Sequence, residues 1–221
     1  IQSGPGGPGN HPEGKMNILA IGAHPDDIEF GCGGTLLKYI RNGHDVYLLV
    51  MTDGHKGGPA RSRRSEQQRA SRILKPKEVI WGTYRDTELS PKMNEMVQDI
   101  EVILDRIDPH FTFVHYDEDT HQDHRALAKA TVSATRYVKN VLFYEGPTTQ
   151  NFVPTVFVDI KDTLDEKVQL LKAHKSQVTK TNIEGLSILD IARSTAVFRG
   201  IAGRVQYAEG FMPLRLFINI R

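Results

Sequence analysis

The chain has 221 residues, enough for one domain that buries roughly 70% of the surface its unfolded chain would expose. Its formal net charge is +1, so no strong field attracts nucleic acid or an anionic membrane, and neither is expected as a partner. Cys32 is the only cysteine, which rules out an intrachain disulfide and a cysteine-rich zinc site. We therefore expect a cytoplasmic protein in which any metal is bound by histidine and carboxylate side chains.

Glycine and proline are frequent in residues 1–15, which show no apolar pattern and are not followed by a signal-peptide core. We interpret this segment as a disordered leader or a remnant of cloning, with Met16 as the native start. Residues 16–221 are then expected to form a single domain. The apolar runs in it are far too short to cross a membrane.

Short apolar runs alternate with helical spacings along the first two thirds of the chain. The pattern predicts strands over residues 17–23, 46–51, 78–81, 111–115, 141–144 and 155–160, with a closing strand over 214–220. It predicts helices over residues 33–41, 61–74, 91–107, 123–138, 165–174 and 183–199. Alternating strands and helices favour an α/β fold with a mostly parallel sheet covered by helices on both faces.

Histidine and aspartate residues cluster after three of the predicted strands. The sequence A-H-P-D-D occupies residues 23–27, T-D-G occupies 52–54, and H-Q-D-H occupies 121–124. Because ligands of parallel sheets bind beyond the carboxyl ends of the strands, we expect these segments to meet in one crevice. One such cluster alone is typical of turn chemistry, whereas their joint occurrence at strand ends indicates a site.

The residues in these clusters suit a metal. Imidazole and carboxylate ligands are typical of zinc, iron or cobalt, and catalytic zinc sites commonly use three protein ligands. His24 and Asp27 lie three residues apart around Pro25, which stiffens the loop. His124 is expected at a helix start, where the helix dipole keeps the imidazole neutral, as a metal requires. These three are the predicted ligands, with Zn²⁺ as the expected cofactor and another divalent transition metal as the alternative.

The neighbouring residues could turn a metal site into a catalytic one. A metal-bound water has its pKa lowered to roughly 7, and Asp26 could take its proton as general base. His121 could donate to the developing oxyanion or to the leaving amine, and Asp123 could orient that imidazole and favour its charged form. The set predicts a metal-dependent hydrolase in which metal-bound water attacks an amide carbonyl.

The order of the short motifs resembles the LmbE-like (PIG-L) family of zinc-dependent N-acetylglucosaminyl deacetylases. A-H-P-D-D at 23–27 is similar to one family signature, and H-Q-D-H at 121–124 is similar to its H-P-D-H, with Gln122 in place of proline. Further similarities are T-x-G at 52–54, R-x-x-E at 63–66, H-x-S-Q at 174–177 and Y-A-E-x-F at 207–211. The resemblance extends over nearly the whole chain from Met16.

The resemblance implies a Rossmann-like fold and zinc held by the three ligands named above. It implies Asp26 as the base, and His121 as acid or oxyanion stabiliser with Asp123 as its partner. The corresponding helix arginine often contacts substrate, which makes Arg63 a candidate for substrate binding. The implied partner is an N-acetylated amino sugar, in a small molecule or short glycan that contains N-acetylglucosamine, and the chain looks most like the bacillithiol-pathway type.

Some assignments stay open at the level of sequence. Asp53 could contact sugar hydroxyls or cap a turn, and Asp86 could hydrogen-bond a sugar or lie at the surface. His174 could cap a helix or lie at the rim of the site. A homo-oligomer is compatible with the sequence. The alternative function is an inactive sugar- or metal-binding module that uses the same crevice, whereas a nucleotide-binding domain is disfavoured because a glycine fingerprint is lacking.

Overall fold

The computed structural model describes residues 14–218, so residues 1–13 of the predicted leader lie outside the described residues. The strands are β1 (Asn17–Gly22), β2 (Asp45–Thr52), β3 (Glu78–Tyr84), β4 (Phe111–His115), β5 (Val141–Tyr144), β6 (Val156–Asp159) and β7 (Ala208–Arg215). The helices are α1 (Asp27–Arg41), α2 (Ala60–Leu74), α3 (Met93–Ile107), α4 (Gln122–Ala134), α5 (Leu164–Ala173) and α6 (Ile188–Gly203). Within this part of the chain, one seven-stranded sheet has the strand order β3-β2-β1-β4-β5-β7-β6.

The sheet is mostly parallel, which confirms the predicted fold class. Strand β1 pairs in parallel with β2 on one side and with β4 on the other, and the outer pairs β2–β3 and β4–β5 are also parallel. Only β7 runs against its neighbours β5 and β6 among the described strands. The chain proceeds from β1 outward to β3 and then returns to β4 beside β1. This reversal of direction is the switch point at which ligands of such sheets bind.

Helices cover the sheet on both faces, and β1 is buried between them. Successive side chains of a strand point to opposite faces. Leu19 and Ile21 of β1 pack in the cluster that contains Ile100 of α3 and Leu127 of α4. The opposite face buries residues from β1, α1, α2 and α5: Ile18, Ala20, Leu36, Leu74 and Leu170. Packing on two sides fixes the position of the end of β1, where the first histidine–aspartate cluster begins.

Helix α1 begins at Asp27 and has a kink at Cys32, whose φ of −143° and ψ of 15° are not helical. The predicted helix over 33–41 corresponds to the part after this kink. The part before it was not predicted, because glycine is a poor helix former. The structure shows that glycine permits close packing there. A Cβ atom on Gly31 would lie 2.1 Å from Cδ2 of Tyr144, whose hydroxyl donates to the carbonyl of Ile21 at 2.8 Å.

Glu209 ties the middle of α1 to the C-terminal strand. Its buried carboxylate accepts hydrogen bonds from the backbone N–H groups of Gly34 and Thr35, at 2.9 and 2.7 Å. Lys167 Nζ lies 2.6 Å from the same carboxylate. A buried carboxylate is tolerated only with such partners, so these contacts hold α1, α5 and β7 together.

Other boundaries differ near the C-terminus. The helix predicted over 183–199 begins at Ile188, where Ser187 and Asp190 form a capping box. The closing strand predicted over 214–220 is β7, which starts six residues earlier and contains most of the Y-A-E-x-F motif. Residues 219–220 of that prediction lie outside the described residues. Among the helices described, not one is both long and apolar enough to cross a bilayer.

The packing of Gly31 gives a test of the fold. Gly31→Ala would force a methyl group against the ring of Tyr144, so we expect a loss of about 1–3 kcal/mol in the free energy of unfolding. The matched control is Gly33→Ala, whose added Cβ would meet the end of the Leu170 side chain at 3.3 Å. We expect this control to change stability by less than about 1 kcal/mol. Urea unfolding measures both, and equal losses would contradict the packing argument.

Candidate active site

The first cluster lies in the turn between β1 and α1. Asp27 is the first residue of α1, and its Oδ2 accepts a hydrogen bond from the backbone N–H of His24 at 2.7 Å. A carboxylate at a helix N-terminus is favoured by the helix dipole. The turn and the helix start therefore fix the relative positions of these two side chains.

Asp27 lies between two imidazole rings. Its Oδ2 is 3.3 Å from His24 Nδ1, and its Oδ1 is 3.4 Å from His124 Nε2. Asp27 thus contacts both predicted histidine ligands, although the three residues come from two distant segments of the chain. Among the described residues, three groups have ligand atoms within 4.8 Å of one another: His24, His121 and His124; Asp27, His115 and His124; and His24, Asp86 and Asp123.

The second ring nitrogen of both His24 and His124 lies close to a carboxylate. His24 Nε2 lies 3.1 Å from Asp86 Oδ1 and 3.2 Å from Asp123 Oδ2. His124 Nδ1 lies 3.2 Å from Asp119 Oδ2. Metal-binding histidines typically direct one ring nitrogen to a carboxylate and the other to the metal. The arrangement leaves Nδ1 of His24 and Nε2 of His124 facing the same side.

The donor set fits a divalent transition metal. The Nε2 atom of His124 is buried and makes no hydrogen bond of good geometry to any described residue. A buried polar atom needs a partner, and a cation beside Asp27 would supply one. Two imidazoles and a carboxylate match the ligand preferences of zinc, and also of iron and cobalt.

The electrostatics of this group favour positive charge. Burial lowers the pKa of His24, but Asp123 and Asp27 outweigh it and hold that pKa well above its ordinary value. Burial likewise opposes the effect of Asp27 and Asp119 on His124, whose pKa rises to about 9. Burial would raise the pKa of Asp27, yet His124 holds it well below its usual range. Protons on the imidazoles balance the carboxylates, and a bound cation can take their place.

His121 lies beside these ligands, with its ring centroid 4.7 Å from that of His24 and 4.6 Å from that of His124. Burial and the positive charges of these two histidines lower the pKa of His121. Its Nδ1 accepts a hydrogen bond from the backbone N–H of Asp123 at 3.2 Å. The proton of the neutral ring is therefore on Nε2, which makes His121 a hydrogen-bond donor.

The charge of the Asp123 carboxylate favours the protonated form of His121, and its role as the partner of His121 in the reaction stays a prediction. The backbone N–H of Asp123 reaches His121, while its side chain contacts His24 and accepts hydrogen bonds from the backbone N–H groups of Thr87 and Leu89 at 2.7 and 3.3 Å. The carboxylate of Asp123 is fully buried by these contacts. Asp123 therefore orients His24.

Asp26 precedes α1 and has a φ angle of 92°, in the left-handed region. A non-glycine residue there is strained by about 1–3 kcal/mol, and its surroundings must hold it. Arg63 Nη2 donates to the carbonyl of Pro25 at 2.7 Å and to Asp26 Oδ1 at 3.3 Å. Burial raises the pKa of Asp26, and the charge of Arg63 opposes that effect.

The three predicted substrate-binding residues have partners within the protein. Arg63 is only 3% exposed and contacts the carboxylate of Asp26. Asp86 is 2% exposed and bonds His24 and the backbone N–H of Lys56. Substrate contacts of these two residues stay predictions. Asp53 accepts a hydrogen bond from the backbone N–H of His55 at 3.2 Å, in agreement with the turn interpretation.

Two residues of the site were not singled out from the sequence. His115, the last residue of β4, has its Nε2 3.1 Å from Asp27 Oδ2, and burial and the charge of His124 lower its pKa to about 4. Asp119 is the carboxylate behind His124. Both belong to the acidic and histidine-rich stretch over 115–124, which signals a site but does not show which member contacts which.

A cavity of about 100 Å³ opens beside Asp26 and Asp27. Both polar and apolar residues line it. The lining residues are Asp26, Asp27, Phe30, His115, Gly146, Pro147, Leu171 and Ile188.

Comparison with known proteins identifies the family. Residues 19–135 match PIG-L, the GlcNAc-PI de-N-acetylase family. An uncharacterised deacetylase of Escherichia coli strain K12 is 36% identical over 170 residues, covering 73% of this chain and 92% of the relative. Diacetylchitobiose deacetylase of Thermococcus kodakarensis is 27% identical over 236 residues, covering 92% of this chain and 85% of the relative.

A solved structure agrees with these relatives. N,N′-diacetylchitobiose deacetylase from Pyrococcus horikoshii, in complex with an inhibitor, matches with a TM-score of 0.79 and 27% identity, covering 90% of this chain and 84% of that one. The chain therefore belongs to the PIG-L family of deacetylases. The family that the sequence motifs predicted is confirmed.

The raised pKa values of the two histidines beside Asp27, the predicted metal ligands, predict a pH-dependent effect of zinc. For His124, a folded-state pKa of about 9 lies above its unfolded value of 6.5, so the stability it gives the metal-free protein is lost as pH rises between them. Zinc binding instead strengthens with pH, because the rings must lose protons. We expect the gain in Tm on zinc addition to grow from pH 6.5 to 8.5, measured by thermal unfolding.

The control for this prediction is His124→Gln, which should show little gain in Tm from zinc at any pH in this range. A gain in the unaltered protein that is constant or shrinks as pH rises would contradict the assignment of these histidines as metal ligands.

Proposed function

We propose that this protein is a zinc-dependent N-deacetylase, which hydrolyses the acetamide of a small molecule or short glycan that contains N-acetylglucosamine. The observation that carries the proposal is the meeting of Asp27 with two imidazoles, each with a carboxylate behind it. The carboxylate of Asp26, which Arg63 contacts, and the donor His121 adjoin them. The named activities of the relatives on diacetylchitobiose support the substrate class.

In the proposed reaction, His24, Asp27 and His124 would hold the metal. A cation bound there would polarise the amide carbonyl as a Lewis acid and lower the pKa of water. Asp26 takes a proton from the attacking water, and its raised pKa makes it a better base than an exposed aspartate. The Nε2–H of His121 donates to the carbonyl oxygen as negative charge develops there. The C–N bond then breaks, Asp26 returns its proton to the amine, and acetate leaves.

The cavity beside Asp26 and Asp27 is the proposed substrate site. Phe30 and Leu171 provide apolar contacts, which suit the acetyl methyl group and the hydrophobic face of a sugar ring. The bacillithiol-pathway type, the cytoplasmic location and the identity of the metal remain predictions from the sequence.

The alternative of an inactive binding module has less support. A module that only holds a sugar or a metal has no need for a strained aspartate beside the ligands. Here Asp26 is held in the left-handed region by Arg63, and His121 has its proton placed on Nε2 by the backbone of Asp123. Release of acetate from N,N′-diacetylchitobiose by the zinc-loaded protein separates the two functions, because binding without release would favour the module.

Replacing Asp26 tests the proposed base. Asp26→Asn keeps the shape of the side chain but removes its basicity, so we expect kcat for acetate release to fall about 10²- to 10⁴-fold. Zinc affinity, measured by calorimetry on the metal-free protein, should stay within a few-fold. The matched control is Asp105→Asn on the exposed face of α3, which should leave both quantities unchanged. Full activity of Asp26→Asn would show that another group is the base.

Replacing His121 separates its proposed role from metal binding. We expect His121→Gln to lower kcat about 10²- to 10³-fold, as for the loss of one oxyanion donor, with zinc affinity retained. Asp27→Asn should instead weaken zinc binding, because a carboxylate ligand is lost. If His121→Gln lost zinc and Asp27→Asn did not, the ligands would be the three histidines, and the assigned roles would be wrong.

A further inference from the structure

The segment over residues 174–177, just after α5, contacts three separate elements that support the active site. His174 Nε2 lies 3.7 Å from Glu29 Oε2 on α1. Ser176 donates from its backbone N–H and its hydroxyl to the carboxylate of Glu66 on α2, at 2.8 and 2.7 Å. Gln177 Nε2 donates to the carbonyl of Gly57, in the loop after β2, at 3.1 Å.

The contact with Glu66 bears on Asp26 through helix α2. Glu66 lies three residues after Arg63, so the two side chains share one face of the helix. Arg63 on that face holds Pro25 and Asp26 by the hydrogen bonds described above. The bonds from Ser176 therefore fix the part of α2 from which Arg63 reaches the proposed base.

Helix α2 depends on such polar contacts for its position. Of its five buried residues, only Ala70 and Leu74 are apolar, and the others are Arg63, Glu66 and Gln67. Gln67 Nε2 donates to Glu29 Oε1 at 2.5 Å, which joins α2 to the residue that His174 contacts. A helix with so little apolar surface gains little from hydrophobic packing, so hydrogen bonds determine where it lies.

The contact with Gly57 bears on His24 through the loop after β2. In that loop the backbone N–H of Lys56 donates to Asp86 Oδ2 at 2.7 Å, and Asp86 Oδ1 lies 3.1 Å from His24 Nε2. Gln177 and Lys180 both donate to the Gly57 carbonyl, one residue away. These bonds fix the loop next to Lys56. The backbone of Lys56 in turn orients the carboxylate of Asp86, which contacts His24.

We propose that residues 174–177 form a positioning segment for the active site, which holds Asp26 through Glu66 and Arg63, and His24 through Gly57 and Asp86. The inference rests on the proposed deacetylase function for its effect on turnover. The segment acts through these residues and is distinct from the groups assigned to the reaction. One branch ends on the proposed base and the other on a proposed metal ligand. The two are joined where Gln177 Nε2 donates to Ser176 Oγ at 2.8 Å. We still expect substitutions at their outer contacts, to Glu66 and to Gly57, to affect mainly one function each.

The experiment compares Ser176→Ala and Gln177→Ala, the latter with and without Lys180→Ala. Acetate release from N,N′-diacetylchitobiose by zinc-loaded protein gives kcat and KM, and calorimetric titration of metal-free protein with zinc gives the metal affinity. Controls are Ser133→Ala and Gln206→Ala, at exposed positions outside the segment. Urea unfolding of every variant confirms that the assays are made on folded protein.

For Ser176→Ala we expect kcat to fall about 10- to 100-fold with KM and zinc affinity unchanged, because the base is displaced. Ser176→Thr keeps the hydroxyl and should restore most of the activity. Combined with Arg63→Lys, Ser176→Ala should lower kcat little further, because both act on the same aspartate.

For Gln177→Ala with Lys180→Ala we expect zinc affinity to weaken about tenfold or more. Such a loss is typical when a carboxylate that orients a metal-binding histidine loses its own position.

Three results would overturn the proposal: variants that match their controls, a loss of kcat that follows only the loss of stability, or full additivity of Ser176→Ala with Arg63→Lys. If the unaltered protein released no acetate from the probe, the proposed function would fail instead. The zinc titration does not depend on turnover. In that case the zinc affinities of the Gln177 variants still decide whether the segment positions His24.

Discussion

The carboxylate of Asp27, buried between two imidazoles, imposes the main electrostatic constraint on this protein. A negative charge in that position requires positive charge close by, and the rings of His24 and His124 can supply it as protons or by sharing a cation. Each ring in turn faces a carboxylate of its own, from Asp123 or Asp119. The charges alternate outward from the centre, and each member is stable only because its neighbours are present.

The topology of the sheet brings these carboxylates and imidazoles together. The turn after β1 supplies His24, and α1 begins at Asp27. The loop after β4 supplies Asp119, and the first turn of α4 supplies His124. Strands β1 and β4 are neighbours because the chain returns to β1 after it has formed β2 and β3 on the other side. The residues of the site therefore lie at the ends of strands and helices, and the residues that contact them lie on α2 and α4 and in the loops after β3 and β4.

The sequence was sufficient to predict the fold class, the family and the group of residues that meet. This was possible because strand ends can be located by apolar runs, and both clusters begin there. It was not sufficient to predict which carboxylate serves which histidine. Asp119 and Asp123 lie in one short acidic stretch, yet they contact different rings, and Asp123 presents its backbone to His121 and its side chain to His24.

The helix boundary at Asp27 was missed for a related reason. Glycine is a poor helix former, and propensity carries no information about a ring that lies against the helix. Gly31 is needed because the ring of Tyr144 packs against it, and Tyr144 lies far from it in the sequence. Distant contacts of this kind decide the details of the site, and local patterns do not encode them.

The hydrogen bonds of Glu209 to Gly34 and Thr35 have a consequence for synthesis of the protein. Glu209 comes 175 positions after Gly34 and 174 positions after Thr35, so the packing of α1 is completed by a strand that is made much later. On the ribosome, the early strands can pair as they emerge, but α1 lacks these partners until β7 has left the exit tunnel. Helix α1, which starts at Asp27, therefore reaches its final packing only after β7 is made, and premature termination before β7 leaves it without these hydrogen bonds.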